Sequence, residues 1–422
     1  MSNLTLGLSP ARTNEISVGS YRLSLVLVAL TCALTPAYVI RFHFGFYPTT
    51  LLEIAILLTV VGFAIETWRQ GNRVEWKSPF TIPSILFLVA GVISILVAPQ
   101  PVKALGLFRA YLVEPIALFV VISTAVQSRR RAMLVLGGLA IAGVVVAVPN
   151  AFVVLQAARH HTLNLAGAPP VVIYTTQNAV ALFCVPLIAV AASLALYTRD
   201  RMERLASVAV LLVTGVATLL SFSRAGYLAL AVLTLLLAAT HPRRRLLVPA
   251  VVIVGVAVSR IPPVASRLGH QVDFSDPNNS LAERYQLWKA TLRMLRDHPV
   301  FGSGLSGFAD TVAPYRQADV FRERLLYPHN IVLNFWTETG LLGLAAFAWI
   351  LGAGLTVTWR AWRTASVDWR PIELGIFLAL VAIIVHGLVD VPYWKNDLST
   401  EFWVLMALGW AGVRWGGREG EA

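Results

Sequence analysis

Apolar residues run along this chain in long blocks, broken at nearly regular intervals by short polar stretches. Blocks of roughly 17–25 mostly apolar residues are long enough for a helix to cross the hydrocarbon of a bilayer. The pattern predicts spans near 23–40, 48–67, 80–98, 104–126, 132–157 and 175–197, then 204–221, 224–240 and 246–259, and finally 329–358, 371–389 and 399–415. Only 260–328 departs from it, being polar, aromatic and glycine-rich. The expected fold is all-α: a polytopic membrane helix bundle of about 12 spans. It divides into nine spans in 1–259, a large external helical loop at 260–328, and three spans in 329–422.

Between 204–221 and 224–240 the break is only Ser221-Phe222-Ser223-Arg224. An arginine inside one continuous apolar helix is costly, so a tight reversal is expected there, and it sets the direction of every later span.

Composition agrees with a membrane protein. The chain is 57% hydrophobic and 13% charged, with mean hydropathy +0.70, whereas soluble domains carry about 25% charged residues. The net charge of +12 comes from short basic clusters between apolar runs. No basic face with interleaved aromatics is present, so nucleic acid is not an expected partner. Counted over alternate short loops and the ends, 19 basic residues, from Arg12 to Arg418, face 5 on the other side: Arg41, Lys103, Arg159, Arg224 and Lys395. The positive-inside rule then puts both termini in the cytoplasm. Arg224, the 260–328 loop, His329 and Asp390 fall on the external face. Cys32 and Cys184 lie in apolar runs without ligand or disulfide spacing and read as packing residues. Residues 1–20 are polar, and the first apolar run reads as a retained span.

Within the loop, Ser280-Leu281-Ala282-Glu283 reads as a capping box with Ser280 as N-cap. Leu281, Tyr285, Trp288, Leu292 and Leu295 follow at helical spacing as one apolar stripe, with Arg284, Lys289, Arg293 and Arg296 on other faces. Such a helix suits a membrane interface and would lie over the bundle as a lid. Asp297-His298-Pro299 should end it, and Gly302, Gly304 and Gly307 should make a flexible turn.

His329 follows a proline and opens a helix, whose dipole disfavours imidazolium and leaves the ring able to accept a proton. A helix-capping or interfacial histidine is the plainer alternative. Arg224 and Arg284 carry planar forks suited to phosphate or diphosphate, or they snorkel and face solvent. Arg109 either binds ligand or pairs with Glu114. His386 and Asp390, four apart, share a helix face; they orient a catalytic group or pair with each other. Gln177 and Asn178 bind polar substrate groups or cap a helix. Trp288 and Asn330 are further substrate-binding candidates. Glu53 and Glu338 are intramembrane carboxylates without an assigned role. No P-loop, His/Cys cluster or HExxH is present, so no metal or cofactor is expected, and arginine should neutralise any bound diphosphate.

Four short markers in order resemble one family: Ser223-Arg224-Ala225-Gly226; Glu283 to Trp288 continuing to His298-Pro299-Val300-Phe301-Gly302-Ser303-Gly304; His329-Asn330 with Glu338 to Gly343; and His386 to Asp390. Together they resemble the O-antigen ligase and O-antigen polymerase superfamily, which includes bacterial protein O-oligosaccharyltransferases. The resemblance covers about 170–410. It implies a glycosyltransferase at the outer face of the bacterial inner membrane, with an undecaprenyl-diphosphate-linked glycan as donor. Arg224 and Arg284 would hold the diphosphate and His329 would activate the acceptor hydroxyl. A ligase acting on lipid A-core is favoured, with a polymerase or protein glycosylation as alternatives. A secondary transporter, using Glu53, Glu338 and Arg109 as a path, is the expectation from another class.

Overall fold

The computed structural model describes residues 20–45, 47–163, 169–260, 279–316 and 326–417. Arg12 and Arg418, and positions 261–278 and 317–325 of the long loop, lie outside the described residues. The structure is an all-α membrane bundle with one two-stranded hairpin. Among the described residues, seven helical stretches are long and apolar enough to cross a membrane, and three more are apolar but shorter.

Helix α1 (Arg22–Ala33) is followed by a 3-10 turn and the hairpin β1 (Arg41–Phe44) and β2 (Tyr47–Thr50). Then come α2 (Leu51–Gln70), α3 (Thr81–Val97), α4 (Pro101–Phe108) and α5 (Glu114–Ala125), the last two joined by a π turn at Arg109–Val113. Next are α6 (Arg129–Arg159), α7 (Gln177–Tyr197), α8 (Arg201–Leu220), α9 (Arg224–Thr240) and α10 (Arg244–Ser259). The chain then forms α11 (Ser280–Asp297), the short α12 (Phe308–Thr311), α13 (Ile331–Thr364), α14 (Arg370–Gly387) and α15 (Asn396–Trp415).

The reversal expected at 221–223 is present. Ser221 closes α8, Phe222 has φ +54, and Ser223 caps α9 by accepting from the Gly226 amide at 3.2 Å. Packing on α7 gives the directions. Thr214 of α8 meets Leu187 beside Gly143, and Leu194 lines the same cleft as Met202, so α8 runs antiparallel to α7. Gly226 meets Ala181 and Ala229 packs on Val185, so α9 runs parallel to α7.

One end of the bundle is held by basic side chains. Arg129 grips Glu203 at 2.7 and 2.5 Å and the Asp368 carbonyl at 2.8 Å, and Arg414 meets Glu75 at 2.8 Å. The opposite end carries Glu53, Arg109, Arg284, His329 and Asp390, described below.

Three expectations for the loop are corrected. The N-cap of α11 is Asn279, whose Oδ1 accepts from Leu281 N at 2.9 Å and Ala282 N at 3.2 Å; Ser280 is the first helical residue. Asparagine satisfies two orphan amides, so the helix starts one residue earlier than a serine cap implies. The buried face of α11 is Leu287, Ala290, Met294 and Leu295, packed on Phe308, Val312, Leu333 and Trp336. Tyr285 and Leu292 are 46% and 44% exposed. Burying a leucine or methionine is worth about 1.5–3 kcal/mol, and that term selects the face that meets a packed partner.

The glycine turn is clamped rather than flexible. Gly302 and Gly304 have φ of +66° and +73°, and a Cβ on either would meet backbone of α13 or α3 within 2.4–2.7 Å. Ser303 N donates to the Thr337 carbonyl at 2.7 Å and Leu341 N to the Val300 carbonyl at 2.9 Å. Gly340, at φ +67 and ψ −174, breaks α13 to admit this segment. Glu338, just before the break, accepts from Ser306 N at 2.6 Å, so its carboxylate anchors the inserted turn.

Candidate active site

The chain enters α13 through Tyr327-Pro328-His329-Asn330. His329 has φ +49, a left-handed conformation that costs a residue with a Cβ about 1–2 kcal/mol and persists only where its surroundings impose it. Two contacts do so. The Trp288 indole N–H of α11 donates to the Pro328 carbonyl at 2.8 Å. Asn330 caps α13, its Oδ1 accepting from Leu333 N at 3.0 Å, and its Nδ2 donates to the Leu388 carbonyl at 2.9 Å.

That second bond joins the start of α13 to the end of α14. Gly387 closes α14, and a Cβ there would stand 2.9 Å from the Ile331 side chain; the glycine lets the two helix ends approach. The helix stops at Gly387, so His386 and Asp390 do not share a helix face, which corrects the expectation from their spacing. Instead the turn at 388–390 swings Asp390 onto His329, with Oδ1 3.1 Å from Nδ1. The same oxygen accepts from Val391 N at 2.9 Å.

Arg284 Nη2 stands 3.8 Å from Asp390 Oδ2. That is too long for a hydrogen bond, and Oδ2 has no hydrogen-bond partner among the described residues. The contact is therefore one of charge. Burial works to raise the Asp390 carboxyl, but the hydrogen bond and charge of His329, then Arg284, hold it below the usual carboxylate range. An ionised carboxylate only accepts, so His329 Nδ1 carries a proton toward Asp390, and in the neutral ring Nε2 is the nitrogen with the lone pair. The His329 side chain is 28% exposed against 6% for Asp390. An imidazole held by a carboxylate and exposed on one face results. His386 lies beneath, 2% exposed, its Nε2 without a hydrogen-bond partner among the described residues.

Arg224, first residue of α9, is exposed. Ala229 of α9 packs against Ala382 of α14. Arg224 lies five residues toward the His329 end from that contact, and His386 lies four, so at 1.5 Å per residue both rise about 6–8 Å above it. Arg224 thus shares the level of the cluster, while Arg284, His329 and Asp390 form its direct contacts.

The other candidates have structural partners. Arg109 pairs with Glu53 at 2.5 Å and with Glu114 at 3.3 Å. Glu53 also accepts from Asn396 Nδ2 at 2.7 Å and completes a capping box with Thr50. The ion-pair reading of Arg109 is the one the structure shows. Gln177, buried at the start of α7, donates to the Pro169 carbonyl at 3.2 Å and to the Pro170 carbonyl. Asn178 is half-buried beside it. Glu53, Arg109 and Glu338, the residues of the suggested transport path, are each engaged locally. Two cavities, about 330 and 450 Å³, lie away from His329, one beside Pro299–Ser303 and one between α6 and α8.

The sequence did not reveal the Trp288 latch, the Asn330–Leu388 bond or the His329–Asp390 pair, because each joins segments 40 or more residues apart. The Thr50-x-x-Glu53 capping box was readable locally and passed unnoticed among apolar neighbours.

Residues 208–348 match the family model described as O-antigen ligase. The match takes in one third of the chain and supports the O-antigen ligase superfamily. A comparison with curated proteins found no match. The O-antigen ligase segment takes in Arg224, Arg284 and His329, whereas His386 and Asp390 lie beyond its end.

Proposed function

We propose that this chain is an inverting glycosyltransferase that moves a glycan from undecaprenyl diphosphate to a lipid A-core sugar. The observation that carries this reading is the His329–Asp390 pair with Arg284 beside it, inside or next to an O-antigen ligase segment. His329 Nε2 takes the proton from the acceptor hydroxyl, and the oxygen attacks the anomeric carbon. The carbon–oxygen bond to the diphosphate breaks, and the diphosphate leaves with the electron pair. Asp390 stabilises the imidazolium that forms, and guanidinium groups preorganised at Arg284 and Arg224 meet the charge on the leaving group. One displacement by one base inverts the anomeric centre; a double displacement needs a carboxylate nucleophile about 5–5.5 Å from a second carboxyl. The basic end of the bundle faces the cytoplasm, which turns His329 outward. There no ATP is available, and the lipid diphosphate supplies the activation. Arg284 and Arg224, rather than a divalent metal, neutralise the donor.

The deciding experiment offers purified protein the lipid-diphosphate glycan with lipid A-core, free glycan and protein acceptors in separate reactions, each with and without EDTA. Transfer to lipid A-core that survives EDTA is expected. Transfer only to glycan or protein would reassign the acceptor, and a strict Mg²⁺ requirement would overturn neutralisation by arginine alone.

A further inference from the structure

The cavity of about 450 Å³ opens on the side of the bundle between α6 and α8 and is floored by α7. Its walls meet where Gly143 of α6 lies against Leu187 and Thr214, and they part toward the end that carries Arg129. Leu136, Leu187, Val190, Leu194 and Val210 line it, and Glu203, its only charged lining residue, is already held by Arg129. Gly137 lies on one wall, and a Cβ built there has nothing within 4 Å. The cleft therefore has free space beside that wall, and hydrocarbon rather than water suits its surface.

The mouth is cationic. Arg130, Arg199 and Arg201 are exposed, and each lies within three residues in sequence of a lining residue, Met133 or Met202. The two acids nearby are engaged, Glu203 with Arg129 and Asp200 with the amide of Glu203, which it caps at 2.8 Å. Basic pockets between membrane helices recognise anionic lipid headgroups, at about 1 kcal/mol per Lys or Arg. We propose that this cleft binds one acyl chain of an anionic diacyl phospholipid, whose phosphate is met by Arg130 and Arg201. The occupant is not the donor's polyprenyl chain. The cleft takes the Leu187–Leu194 half of α7, in the leaflet facing Arg129, whereas the diphosphate would be held at the His329 end.

The test is native mass spectrometry of the full-length protein, titrated with phosphatidylglycerol or with phosphatidylcholine of the same chains. Phosphatidylglycerol should bind about 5- to 30-fold more tightly, the range that one or two arginine contacts give. Gly137→Leu, which fills the cleft, should remove both adducts. Arg130→Glu with Arg201→Glu should remove only the preference. Val145→Leu, at an exposed site on the same helix, should change nothing. Unfolding in lipid-free detergent reports whether Gly137→Leu is folded, and Ala140→Leu narrows the same wall if it is not. Equal binding of the two lipids, adducts that persist in both filled variants, or displacement of phosphatidylglycerol by a polyprenyl phosphate would overturn the proposal.

Discussion

Replacing Asp390 with asparagine isolates what the carboxylate does, because the side chain keeps its size and can still accept from Val391 N. Two losses are expected. The first is the charge-assisted bond to His329 Nδ1 at 3.1 Å, and such bonds are worth about 1.5–3 kcal/mol. At 1.36 kcal/mol per decade, that alone lowers kcat about 10- to 150-fold. The second concerns the tautomer. An asparagine flipped so that its amide donates to Nδ1 gives up the bond from Val391 N, moves the ring proton to Nε2 and blocks the base; in a Ser-His-Asp triad the same exchange costs about 10⁴-fold. The drop in kcat should thus fall between about 10-fold and about 10⁴-fold. KM for the donor should not rise. Arg284, 3.8 Å from Asp390, loses an attraction of ~4 kcal/mol before solvent screening and less after it, and becomes more available to a diphosphate.

The pH profile separates this from a folding defect. Asp390 is held below the usual carboxylate range, so its contribution to stability is present above its unfolded value and is lost only as pH falls through the lowered one. Asp390 therefore stays charged across the working range, and in Asp390→Asn kcat should be reduced at every pH within it, whereas a folding defect would worsen toward acid. Single-turnover transfer from purified donor, followed by the mobility shift of the acceptor, measures it. Wild-type kcat across the working pH range would refute the oriented-base account.

Arg284→Lys keeps the charge but removes the fork, and transfer should fall about 10- to 150-fold at fixed donor concentration; an unaltered rate would argue against diphosphate binding there. Gly340→Ala should destabilise the protein by about 1–3 kcal/mol, since its φ +67 and ψ −174 are essentially restricted to glycine and the new Cβ would stand 2.5 Å from the Val300 carbonyl. Its thermal midpoint in detergent should drop, and an unchanged midpoint would mean the inserted turn is not clamped.

What the sequence made legible was whatever one element decides alone. Apolar run length gave the helices, and the cost of burying Arg224 gave the reversal at 221–223. Local rules failed where a distant segment decided the outcome. The stripe through Tyr285 and Leu292 has good periodicity, but Phe308, Val312 and Trp336 pack on the neighbouring face. His386 and Asp390 have helical spacing, but the helix ends between them at Gly387, which lies against Ile331. Gly340 reads as a helix residue until Val300 to Ser303 is seen pairing with the chain around it. His329, Arg284 and Arg224 could be proposed as chemistry-bearing residues; that Asp390 would orient His329 required the tertiary fold.

The most direct measurement compares wild type with His329→Ala in the reconstituted transfer reaction, with binding of the lipid-diphosphate donor measured in parallel. The account predicts donor binding within about twofold of wild type and transfer reduced by about 10²–10⁴, the usual contribution of a positioned general base. Undiminished transfer by His329→Ala would contradict it.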